Sequence, residues 1–178
     1  MNEQRLAFLF RSPQIVEAAV RAALADALAV RRMRLGEIDA RSFGNRALEM
    51  LGAELQKNGR HTDALGLYEL EVQTVRAAAR FFSSKIGRRL LTIESDRLEA
   101  ASSDFDVSVR DARGRLHVVR IEAASNNEDR VKLGRRLAER TTSPRALHAP
   151  GIHLFSLRDG RLRSFTFAFA AQSSRKIA

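Results

Sequence analysis

Residues 103–126, SDFDVSVRDARGRLHVVRIEAASN, constrain the fold more than any other stretch. Phe105, Val107 and Val109 alternate with Asp106, Ser108 and Arg110, and a second apolar-rich run follows from Leu116 to Glu122 after a loop ending in Gly114. Two such runs joined by a short glycine-containing loop specify a β-hairpin. A three-residue connection of Ala112, Arg113 and Gly114, with Gly114 in the left-handed position, pairs Asp111 with Arg115 and sets Asp106 opposite Arg120. Opposed residues point to one side of a sheet. That register predicts Phe105, Val107, Val109, Val119 and Ile121 on one face. Asp106, Arg120 and Glu122 are predicted on the other, so two carboxylates converge ahead of a helix.

That helix is basic. Asn126 or Asn127 caps it, Glu128 and Asp129 complement the dipole in its first turn, and Arg130, Lys132, Arg135, Arg136 and Arg140 follow. Upstream, Ser12–Pro13 starts a helix running to about Met33. A second is predicted over 38–58, closed by Gly59, and a third over 62–86, closed by Gly87. In the third, Leu65, Tyr68, Val72, Val75, Ala79 and Phe82 recur at three- and four-residue intervals, the pattern of an apolar helix face. Leu90 to Ile93 reads as a first strand and Ile152 to Leu157 as a later one. Asp159–Gly160 then turns the chain into a strand where Phe165, Phe167 and Phe169 alternate with Thr166 and Ala168. The alternation marks these phenylalanines as a core face in preference to a base-stacking platform. The tail over 172–178 is polar and predicted to fray.

Charge narrows the partner. The 178 residues carry a formal charge of +10, of which residues 1–100 contribute +3 and residues 101–178 contribute +7. A field of that sign beside the hairpin favours a polyanion, and nucleic acid is the common one. With no cysteine there is no disulfide, thiolate metal site or cysteine nucleophile, and the expected setting is cytoplasmic. Glu17, Arg21 and Asp26 interrupt the apolar stretch from Ile15 to Val30, so no membrane association is expected. His61, His117, His148 and His153 lack zinc-site spacing. A phosphate-binding glycine loop, a GxSxG elbow and a dinucleotide fingerprint are all absent from the sequence.

The element order and the residues Asp104-Phe105-Asp106-Val107, with Glu122 sixteen positions after Asp106 inside Ile121-Glu122-Ala123-Ala124-Ser125, resemble the PD-(D/E)xK nuclease superfamily. The similarity covers about residues 62–170. It implies an α/β fold in which N-terminal helices over 1–60 precede a restriction-endonuclease-like core over 61–171, with a mixed central sheet flanked by helices. It further implies that Asp106 and Glu122 hold a divalent cation, joined by a glutamate of the preceding helix, Glu71 or Glu69. Magnesium or manganese suits such oxygen ligands, activates a bound water and stabilises charge on a scissile phosphate. The family's lysine is replaced by Ala124. Lys132 on the following helix, or Lys85, is the candidate for a relocated basic group.

The leading expectation is therefore a nucleic-acid-binding protein, DNA before RNA. It is either a metal-dependent endonuclease using Asp106, Glu122 and Lys132, or a derivative that has lost catalysis. Arg130, Lys132, Arg135 and Arg136 are its expected phosphate contacts. The same charges also satisfy a metal-free reading, an ion-pair ladder of Asp106, Arg120 and Glu122. A different class is a helical adaptor. Leu51, Gly52, Leu55, Gly59, Ala64, Leu65 and Tyr68 resemble one tetratricopeptide repeat, without a second copy. A homodimer or a protein partner through the N-terminal helices accompanies that reading. A helix-turn-helix over Leu35 to Leu51 is the third and loosest.

Overall fold

In the computed structural model, residues 13–33, 39–59, 63–92, 98–99, 105–122, 127–141 and 151–166 are described. Alanine repeated among branched apolar residues gives α1 (Pro13–Arg32) a broad and smooth buried face: Ile15, Val16, Ala19, Val20, Ala23, Leu24, Ala27 and Leu28. Small side chains let neighbouring helices approach closely. α2 (Ala40–Lys57) packs on it, capped by Asp39, whose carboxylate accepts the Ser42 N–H at 2.8 Å. Past its end Gly59 adopts φ +59°, as expected of a helix-closing glycine. α3 (Ala64–Ser83) is capped by Asp63 and packs on both α1 and α2.

The third helix is shorter than the sequence predicts. It stops at Ser83, and a separate helix, α4 (Lys85–Thr92), begins after Ser84. The Ser84 hydroxyl accepts the Gly87 N–H at 3.0 Å, which makes Ser84 an N-cap. Gly87 therefore does not close α3. It lies within α4, where a Cβ would meet the Phe81 carbonyl oxygen at 2.0 Å, so only glycine fits the corner. Leu90 to Thr92, read from sequence as strand, belong to this helix, and the first strand is instead β1 (Leu98–Glu99).

The sheet has five strands in the order β1-β2-β3-β4-β5. β2 (Val107–Arg110) and β3 (Leu116–Glu122) form the expected hairpin, with Val107 opposite Val119 and Arg110 opposite Leu116, and Gly114 at φ +74°. β4 (Gly151–Ser156) runs parallel to β3, and α5 (Asn127–Thr141) is the crossover between them. β5 (Leu162–Thr166) returns antiparallel after a turn in which Gly160 takes φ +68°. Phe165 packs against the core on the α5 side, as a core phenylalanine should. Phe167, Phe169 and the tail lie outside the described residues.

One face of this mixed sheet carries α1, α2 and α3. Val107, Val109, Val119, Ile121, Phe155 and Leu157 share a continuous core with those helices, and Phe81 stacks edge-on against Phe155 at 5.3 Å. α1 and α2 thus belong to the layer that covers the sheet and share its core. On the other face, Leu137 and Ala138 of α5 pack on Val118, Ile152 and Leu154. Among the described residues no helix is long and apolar enough to cross a membrane.

Candidate functional site

The hairpin delivers Asp106 and Glu122 to the same end of the sheet, but the chain bends at Asp106 before β2 begins at Val107. That bend breaks the two-residue alternation. Phe105 packs on the α5-side core, not with Val107 and Val109 as the uninterrupted pattern predicts. Asp106 turns towards α1, where Arg21 Nε donates to its Oδ1, while its Oδ2 accepts the Ile121 N–H at 2.7 Å. Asp106 is 7% exposed, and each of its carboxylate oxygens accepts one hydrogen bond, from a guanidinium and from a backbone amide. Glu17 stands 3.6 Å from the same arginine.

Glu122 meets a different arginine. Arg130, one turn into α5, donates through Nε to Glu122 Oε1, and both residues are buried, 7% and 6% exposed respectively. A charge in such a place is tolerated only when paired and hydrogen-bonded. The two carboxylates are backbone neighbours, since Asp106 Oδ2 touches the amide next to Glu122. Each is nevertheless claimed by a cation from a helix on a different face of the sheet. The cation that meets each carboxylate is thus a helix arginine, Arg21 for Asp106 and Arg130 for Glu122.

Glu71 is exposed on α3. No group of three or more histidine, aspartate or glutamate side chains able to hold a metal ion occurs among the described residues, so Asp106, Glu122 and Glu71 do not form one. Along α5, Lys132, Arg135 and Arg136 are exposed whereas Arg130 turns inward. Their i, i+3, i+4 spacing places the three outward cations on one helix face. Lys85 is exposed at the start of α4.

At the opposite end of the sheet lies a cluster that the spacing of the histidines does not reveal. His117 Nε2 is 3.2 Å from Asp111 Oδ2, His117 Nδ1 is 3.0 Å from His153 Nε2, and His153 Nδ1 is 2.9 Å from Ser164 Oγ. Backbone N–H donation, chiefly around Arg115, holds Asp111 below the usual carboxylate range and therefore ionised at neutral pH. An acceptor at that end orients every proton in the row. With both imidazoles neutral, His117 donates to Asp111, His153 donates to His117, and Ser164 donates to His153. Burial first, then the charges of His117, Arg115 and Arg89, push His153 down to about 4. Gly151 makes room for the pair, because a Cβ there would lie 2.5 Å from His117 Nδ1. The β3–β4 register brings the pair together: His117 falls opposite Gly151, two positions before His153.

No protein-family model, curated protein or solved structure matches the chain.

Proposed function

We propose that this chain is a nucleic-acid-binding protein built on a PD-(D/E)xK nuclease-like core that has lost catalysis, with DNA as its first partner. The observation that carries the reading is the division of labour along α5. Arg130 neutralises Glu122 from within, and Lys132, Arg135 and Arg136 present a cationic row to solvent. A meander of three antiparallel strands, a crossover helix and a strand parallel to the third supports the family reading. Arg21 and Arg130 supply, as fixed positive charge, what a divalent cation would otherwise bring to Asp106 and Glu122. Together with Ala124 in place of the motif lysine, this favours binding over hydrolysis.

Cleavage of linear, branched and single-stranded DNA with magnesium or manganese tests the loss of catalysis. The expected outcome is no cutting, with DNA retained in the presence of a chelator. Metal-dependent cutting that disappears in Asp106→Ala and Glu122→Ala would instead make the carboxylates catalytic and metal-binding, with Lys132 the first candidate for the missing lysine.

A further inference from the structure

Helix α3 has two apolar faces, and the described residues pack against only one of them. The face packed against α1 and α2 contains Leu70, Gln73, Thr74, Ala77, Ala78 and Phe81, and among the described residues Gln73 Oε1 and Thr74 Oγ1 are buried there without a hydrogen-bond partner. The more apolar stripe faces out: Leu65 is 66% exposed, Tyr68 64% and Val75 41%, with Val72 half-buried between them and Ala79 exposed beyond. A helix that buries glutamine and threonine while exposing leucine, tyrosine and valine reverses the usual arrangement. Such a patch marks a surface awaiting an apolar partner.

The spacing of the stripe identifies the partner. Positions 65, 68, 72, 75 and 79 alternate by three and four, the 3.5-residue seam of paired helices. Residues flanking a seam set orientation through charge. Glu69 and Arg76 lie one heptad apart on one flank, Glu71 and Ala78 on the other, and Glu69, Glu71 and Arg76 make no ion pair among the described residues. Opposite charges on one flank make the face complementary to an inverted copy of itself.

We infer that α3 is a self-association surface on which two copies of this chain pack α3 against α3 about a two-fold axis, the helices antiparallel. Glu69 then meets the partner's Arg76, and symmetry forms the pair twice. On the other flank Ala78 is buried in the core of its own chain, so Glu71 opposes no like charge. Val72 and Val75 fill the central layers, and Tyr68 buries its ring with its hydroxyl at the rim. This surface is separate from the cationic row of α5, and the inference stands independently of nucleic-acid binding.

Sedimentation equilibrium or light scattering on the full chain tests it. The expected mass is about twice 19.9 kDa. Val75→Glu places carboxylates in the seam and should give a monomer with an unchanged circular dichroism spectrum. Arg76→Glu should weaken association, and adding Glu69→Arg to it should restore the dimer. Restoration by Glu71→Arg instead would overturn the antiparallel arrangement, since only parallel helices bring Glu71 to the partner's Arg76. A wild-type chain that stays monomeric at every concentration, or a dimer indifferent to Val75→Glu, would overturn the inference.

Discussion

Arg130 shows how much rests on one side chain. Removing it leaves Glu122 buried without the guanidinium that faces it, and breaking a buried pair this way costs about 3–5 kcal/mol. Arg130→Met should therefore lower stability in urea by roughly that amount, and Glu122→Gln in the same chain should recover much of it. A loss below about 1 kcal/mol would show that the pair is solvated, as exposed pairs are. His153 makes a separate prediction about pH. Its pKa is depressed from 6.5 to about 4 in the fold, so between those values the unfolded chain binds more protons. Its contribution to stability is complete above about pH 6.5 and lost as pH falls towards 4. The groups facing it are His117, Arg115, Arg89 and Ser164, and all but the serine are cationic or able to become so. The thermal midpoint of wild type should fall more than that of His153→Asn across this window. Parallel pH profiles would contradict the assigned shift.

At the scale of elements, the α3–α4 corner depends on Gly87. An alanine Cβ there would press on backbone, not on a movable side chain. Gly87→Ala should destabilise by about 1–3 kcal/mol, the usual range for overpacking, and a neutral result in chemical denaturation would mean that the corner can open. This corner also marks where sequence reading fell short. Ser84 interrupts what looks like one long helix, because a hydroxyl that caps the next helix leaves no mark in apolar periodicity. The hairpin was legible to the residue, since Gly114 and the turn length set the register. The carboxylate arrangement was not: alternation presumes a straight strand, and the bend at Asp106 sends that side chain to Arg21, eighty-five positions away. Periodicity put the apolar face of α3 on Leu65, Tyr68, Val72, Val75, Ala79 and Phe82. It does not say which partner covers a stripe, and the structure buries the neighbouring face instead.

For the whole molecule, the three-layer arrangement places α5 on the face of the sheet away from the other long helices, with Lys132, Arg135 and Arg136 outward. The helix therefore belongs to the half of the chain that carries +7 of the net +10. Class and layers were readable from element order, and the expected α/β architecture with a mixed sheet flanked by helices is the one observed. The histidine row and the arginine locks were not readable, because both join residues far apart in sequence whose proximity depends on β3–β4 pairing and helix docking. The measurement that tests the central claim most directly is DNA binding by fluorescence anisotropy across a salt series, in chelator. Wild type should bind tightly at low salt with a steep dependence, and a triple Lys132→Ala, Arg135→Ala, Arg136→Ala variant should lose about 0.9 in log–log slope for each phosphate contact removed. Binding that ignores salt, or a slope unchanged in the triple variant, would contradict the account.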